Sequence, residues 1–117
     1  MNYICITGAG GSIGSEIARK FVDKEENLIL IDSAEYSLFS IWEELKGIIK
    51  KANKKIKIIP ILVNLANEND FIKAIEQYTI TKIFHAAAYK HVNLIEKNPY
   101  SGLKIIFIQL KILQILL

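Results

Sequence analysis

A short apolar run, Tyr3-Ile4-Cys5-Ile6-Thr7, leads straight into Gly8-Ala9-Gly10-Gly11-Ser12-Ile13-Gly14, after which Ile13, Ile17 and Phe21 recur at helical spacing. Strand, glycine-rich turn and helix start, in that order, are how a chain wraps the pyrophosphate of a dinucleotide. Gly8 permits the sharp turn off the strand. Gly11, lacking Cβ, lets the backbone approach the pyrophosphate, and Gly14 lets the helix pack close to the strand. The helix N-terminus then offers N–H groups and partial positive charge to the phosphates. The spacing is Gly-x-x-Gly-x-x-Gly, not the Gly-x-Gly-x-x-Gly of most dehydrogenases. A glycine triplet alone also fits an ordinary strand–helix turn.

Downstream, apolar runs alternate with helical stripes. Asn27–Ile31 and Ile56–Val63 read as strands, the second with Pro60 arguing for an edge position or a break. Lys82–Ala86 reads as a fourth strand. Helices are expected at 12–24, 34–51 (Leu38, Ile41, Trp42, Leu45, Ile48 and Ile49 in one stripe) and 67–77. Alternation of this kind predicts an α/β fold of parallel βαβ units. The expected architecture is the first half of a doubly wound, Rossmann-like sheet in the order 3-2-1-4, truncated after its fourth strand. With 117 residues, the chain has the size of one small domain.

Asp32 follows the second strand directly, about 20 residues past the glycine loop, where a carboxylate meets the adenosine ribose hydroxyls. A charge there repels a 2′-phosphate, so NAD is expected, with NADP as the alternative. Asp32 or Ser33 can equally cap the helix starting near Ala34, and the two roles are compatible. At the end of the fourth strand, Ala86, Ala87 and Ala88 are small enough for a flat cofactor to lie against the backbone. The polar trio Tyr89, Lys90 and His91 follows where open α/β sheets bind ligands.

The net charge of +3 is mild, and the cluster Lys50, Lys51, Lys54, Lys55 and Lys57 reads as a solvated helix terminus and loop. No aromatic residues interleave it, so no nucleic-acid partner is expected. Cys5 is the only cysteine, which leaves no intramolecular disulfide and fits a small core residue. The N-terminus lacks a positive segment before its apolar run, so no signal peptide is expected, and a cytoplasmic location follows. No metal site is expected.

Thr7 to Gly14, Asp32 to Glu35 and, above all, His85-Ala86-Ala87-Ala88-Tyr89-Lys90-His91-Val92-Asn93-Leu94-Ile95-Glu96 resemble the nucleotide-sugar 4,6-dehydratases of bacterial polysaccharide biosynthesis. These are the CapD-like proteins of the extended short-chain dehydrogenase/reductase superfamily. The likeness covers the N-terminal part of that fold, to about Asn98-Pro99. It implies an NAD(P)-dependent lyase acting on a UDP-N-acetylhexosamine: hydride leaves C4, water leaves across C5–C6, and hydride returns at C6. By position, the resemblance assigns Gly8, Gly11, Ser12, Ile13 and Gly14 to the pyrophosphate. Asp32 and Ser33 go to the ribose, and Asn64 and Leu65 to adenine. Ala86, Ala87 and Ala88 would lie along the cofactor, with Tyr89, Lys90 and His91 toward the nicotinamide and sugar. Asn64 stands where the family usually has Asp, and Asn93 where it commonly has proline. The family's Tyr-x-x-x-Lys catalytic pair lies well downstream, and no residue here stands at its position. The chain alone is therefore expected to be inactive, and no catalytic residue is assigned. A nucleotide-binding or assembly module without catalysis is the alternative.

Residues 1–102 read as the partial nucleotide-binding domain and 103–117 as an anomalous apolar tail. Eleven of the tail's side chains, among them Ile105, Ile106, Phe107 and Leu117, are large and apolar, with no strict amphipathic stripe. The run is too short to span a bilayer, and lysines interrupt it. It reads either as AT-rich sequence in a shifted frame or as a divergent or truncated end. Together with the exposed edge of the fourth strand, it predicts a homo-oligomer.

Overall fold

A computed structural model describes residues 1–86 and the backbone of 104–107. Strands β1 (Asn2–Thr7), β2 (Leu28–Asp32), β3 (Ile58–Leu62), β4 (Thr79–His85) and β5 (Lys104–Phe107) form one parallel sheet in the order β3-β2-β1-β4-β5. Helices α1 (Ser12–Asp23), α2 (Glu35–Lys51) and α3 (Glu68–Ile75) connect the first four strands.

Alternation along the strands builds two cores. Ile4, Ile6, Leu28, Leu30 and Phe84 point to one face, where Ile17, Ala18 and Val22 of α1 and Leu38, Ile41 and Leu45 of α2 cover them. Tyr3, Cys5, Ile29, Ile31 and Ile83 point to the other, beneath Phe71 and Ile75 of α3. Cys5 is fully buried, and burial pushes its thiol pKa far up, as suits an inert core residue.

β3 is the edge strand that Pro60 demands. Leu28 N donates to Lys57 O (2.9 Å) and Val63 N to Asp32 O (3.1 Å), so the odd-numbered residues of β3 bond to β2. The nitrogen of Pro60, which has no hydrogen, therefore faces away from the sheet.

The 3-2-1-4 order holds and is extended. Lys104–Phe107 pairs in parallel with Lys82–His85, so the β4 edge expected to stand open is covered by a fifth strand. The start of the apolar tail thus continues the sheet across the boundary drawn at 102, and one of the two surfaces assigned to self-association is already paired. An apolar run on every face suits a strand buried on both sides as well as it suits a helix. Residues 108–117 lie outside the described residues.

Candidate functional site

At the carboxyl end of β1 the chain turns at Gly8, whose φ of 69° is the left-handed conformation that favours glycine. Gly11 N closes the turn onto Gly8 O (3.1 Å), and Gly11 is the N-cap of α1. A Cβ on Gly14 would sit 2.1 Å from Gly8 O, so this glycine is what allows α1 to seat on the turn. At Gly11 a Cβ would meet only Gly8 O, at 3.4 Å, and the position is exposed. The space above it is open to a ligand.

The start of α1 differs from the other helix starts. It has no side-chain cap and no acid in its first turn. α3 is capped by the Asn67 side chain and carries Glu68 and Asp70, while α2 carries Glu35. The N–H groups of Ser12, Ile13 and Gly14 have no intrahelical acceptor, and the helix has neither a side-chain cap nor a first-turn acid to satisfy them. Ser12 is exposed and Ile13 half-buried, packing on the α1–α2 core. This cradle suits a pyrophosphate.

Asp32 ties the cradle together. Its Oδ2 accepts from Gly10 N at 2.8 Å and its Oδ1 from Ala34 N at 3.0 Å. Ala9 N donates to Ile31 O at 3.1 Å beside it. A carboxylate offers about four acceptor sites, so each oxygen keeps room for a ribose hydroxyl while the loop stays held. The N-cap of α2 is Ala34, without a side-chain cap, so neither Asp32 nor Ser33 fills that role. Asp32 makes the turn before it instead, and Ser33 is exposed beside it.

Gly10 is the member of the loop that the motif did not assign. A Cβ there would lie 2.6 Å from both the carbonyl carbon and the Cβ of Ser37, and 2.9 Å from Leu38 N. The first turn of α2 leaves no space for a side chain. No local pattern announces this, since the contact joins segments far apart in sequence.

Past β3, Asn64 is exposed, and its Oδ1 accepts from Ala66 N at 3.0 Å. An aspartate would make the same turn, so the amide keeps the acceptor and loses only the charge. Leu65 is half-buried and packs against the α3-side core. At the β1–β4 junction the register pair Thr7 and His85 is buried, with Thr7 Oγ1 and His85 Nδ1 2.6 Å apart, and Ala86 N donates to Thr7 O at 3.0 Å. This pair, also unassigned by the motifs, joins the two strand ends between which the chain reverses its winding direction, where such sheets bind ligands. Ala86 is half-buried at the rim. Ala87, Ala88, Tyr89, Lys90 and His91 lie outside the described residues. Among the described residues no cluster of His, Cys, Asp or Glu could hold a metal.

The Tyr-x-x-x-Lys spacing does occur twice, at Tyr78 and Lys82 and at Tyr100 and Lys104, upstream of the family's position. Tyr78 stacks edge-on against Tyr3, and Lys82 pairs with Ile4 within the sheet, three residues below His85 and so about 10 Å from the crevice. Lys104 pairs with Lys82 at the same level. Tyr100 lies outside the described residues. Tyr78 precedes β4 and packs on Tyr3 at the amino end of the strands, so the first pair lies away from the crevice.

Residues 4–112 match the sequence profile of the family described as "Polysaccharide biosynthesis protein", so the likeness extends past Asn98-Pro99. The chain is 35% identical over 102 residues to the capsular polysaccharide biosynthesis protein CapD of Staphylococcus aureus, covering 86% of this chain and 16% of that one. It is 38% identical over 104 residues to the probable polysaccharide biosynthesis protein EpsC of Bacillus subtilis, covering 86% and 17%. The chain thus spans about a sixth of the length of these curated relatives. The solved UDP-glucose-4-epimerase of Stenotrophomonas maltophila, with bound NAD and formylated UDP-arabinopyranose, shares the fold at a TM-score of 0.61, 20% identity, and coverage of 78% and 26%. By the extent of the profile match and the described sheet and loop, the chain belongs to the polysaccharide biosynthesis protein family and has its Rossmann-like fold.

Proposed function

We propose that this chain is the dinucleotide-binding portion of a nucleotide-sugar 4,6-dehydratase acting on a UDP-N-acetylhexosamine in bacterial glycan assembly. The observation that carries the binding half of this reading is the Asp32 carboxylate, held by Gly10 N and Ala34 N beside an uncapped, acid-free helix start. NAD is the preferred cofactor. Asp32 cannot swing aside without losing both hydrogen bonds, and the first turn of α2 offers Glu35 and no cation to a 2′-phosphate.

The residues divide the labour by position. Gly11, Ser12, Ile13 and Gly14 bind the pyrophosphate through backbone N–H groups. Asp32, with Ser33 beside it, orients the ribose. Asn64 and Leu65 border the adenine. Thr7 and His85 hold the strand ends that aim Ala86, Ala87 and Ala88 along the cofactor, with Tyr89, Lys90 and His91 on the sugar side. A bound nicotinamide supplies acceptance and return of hydride at the sugar. The proton of the C4 hydroxyl needs a positioned base of tuned pKa; His85, the imidazole at the crevice, is buried against Thr7, and we assign the base to the family's Tyr-x-x-x-Lys pair. On this reading the chain alone binds without turnover.

Purified chain incubated with NAD and UDP-N-acetylglucosamine should yield no 4-keto-6-deoxy product. DNA flanking this coding segment, read in all three frames, should encode a helix bearing the Tyr-x-x-x-Lys pair and a sugar-binding segment. Turnover by the chain alone contradicts its reading as a binding portion only, and the lack of that helix in every frame contradicts the dehydratase reading.

A further inference from the structure

From Leu45 to Asn67 the chain carries six lysines and no acid, against a net charge of only +3 for the whole. The structure sets three of these lysines around a groove of about 520 Å³ between the last turns of α2 and the start of edge strand β3. Trp42, Ile49, Ile56 and Ile58 supply its apolar floor, and Lys46, Lys50 and Lys54 its rim. Lys51, Lys55 and Lys57 are exposed nearby in the chain, as is Ile48. Two of the charges are balanced locally, Lys46 by Glu43 at 2.8 Å and Lys54 by Glu25 at 3.5 Å. Among the described residues no ion pair is recorded for Lys50, Lys51, Lys55 or Lys57.

We propose that this lysine-rimmed groove docks the protein on an anionic lipid surface. The proposal does not depend on the nucleotide reading. Lysine is the basic residue used: Arg19 is the only arginine of the chain, and it lies on α1. An ammonium is a hydrated point charge without the planar fork that reads phosphodiesters or carboxylates bidentately, so a cluster of them suits a diffuse sheet of negative charge. Lys46 Nζ sits 3.6 Å over the Trp42 ring, which occupies that face against base stacking and leaves an amphipathic ring at the rim. Trp and Ile beside lysines are the composition of an interfacial contact. Among the described residues no helix is long and apolar enough to cross a membrane.

Placement fits as well. Because all strands are parallel, the glycine loop lies at their carboxyl end, while α2 runs back and delivers its C-terminus to the opposite end. Docking through the groove turns the nucleotide crevice away from the lipid, roughly a strand length of 17–20 Å distant.

Trp42 is the only tryptophan and reports on the groove directly. The full chain is titrated with phosphatidylcholine vesicles, with the same vesicles containing one-third phosphatidylglycerol, and with polyglutamate, at low and high salt. Expected are a blue shift of Trp42 emission and co-sedimentation with the anionic vesicles only, both reversed by salt. The exposed-site variant Lys50→Gln/Lys55→Gln, its fold checked by circular dichroism, should partition about thirtyfold more weakly, since each lysine near such a surface is worth about fivefold. No binding to anionic vesicles at low salt overturns the proposal. So does binding that leaves Trp42 emission and the variant's partition unchanged, which puts the contact elsewhere. Equal affinity for polyglutamate with the same shift also overturns it, in favour of an acidic protein partner.

Discussion

Gly10 N donates to Asp32 Oδ2 at 2.8 Å, across 22 residues of sequence, and this bond fixes the glycine loop to the end of β2. One carboxylate therefore has a structural task beside the binding task proposed for it. Asp32→Ala leaves the Gly10 and Ala34 N–H groups without their acceptor. Loss of a partner by a buried donor costs about 1–3 kcal/mol, and partial exposure here favours the lower end. Denaturant melts should show that loss, and calorimetry should show weaker NAD binding. Asp32→Asn, which keeps one acceptor oxygen, should lose less stability than Asp32→Ala.

The glycines should separate by their surroundings. Gly11→Val, at the exposed N-cap with only Gly8 O at 3.4 Å, should leave the fold intact and abolish nucleotide binding. Gly10→Ala drives a Cβ to 2.6 Å from the Ser37 backbone and Gly14→Ala to 2.1 Å from Gly8 O, so both should unfold at lower denaturant than the parent chain. Circular dichroism melts beside NAD titrations distinguish the two classes.

Thr7→Val keeps the shape of the side chain and removes the hydroxyl that meets His85 Nδ1. Both residues are buried, so the expected loss is about 1–3 kcal/mol. Thr7→Ser should restore most of it. Equal stability of the valine variant and the parent would show that the pair does not hold the two strand ends together.

Much of this was legible beforehand because its cause is local. Gly8 needs a positive φ, Pro60 needs an edge, and Asp32 ends an apolar strand, so each leaves a mark in the residues beside it. Three features had no local mark. Gly10 is set by Ser37, the Thr7–His85 contact spans 78 residues, and β5 was hidden in an apolar run with no period to separate strand from helix. The predicted Lys82 start of β4 was three residues late, because Thr79 and Ile80 pair with β1 and Thr81 bulges between them and Lys82, all three remaining partly exposed. Exposure blurred the apolar signal that marks a buried strand.

Arg19 grips Glu44 through Nε and Nη2 (2.5 and 3.0 Å) and Glu16 through Nη1 (3.2 Å). The hydrogen bond from Arg19, aided by its charge, holds the Glu44 carboxyl below the usual carboxylate range, and Glu44 holds Arg19 up. A depressed folded-state pKa stabilises above the unfolded value, near 4.3, and that stabilisation fades as pH falls through the folded value. Both partners are about two-fifths exposed, so the pair contributes at most about 1 kcal/mol. Glu44→Gln should therefore be slightly less stable than the parent at pH 7. The two should converge in acid, as urea melts across pH can show.

Titration calorimetry of the full chain with NAD and ADP-ribose reads the nucleotide grip directly. Apart from Ala86, the described residues proposed to contact the cofactor lie on the adenosine and pyrophosphate side, so both ligands should bind, weakly and with similar affinity, and NADP more weakly still. No heat from either NAD or ADP-ribose, with a sample shown by circular dichroism to be folded, would contradict the assignment of the Gly8–Gly14 loop and Asp32 to a dinucleotide.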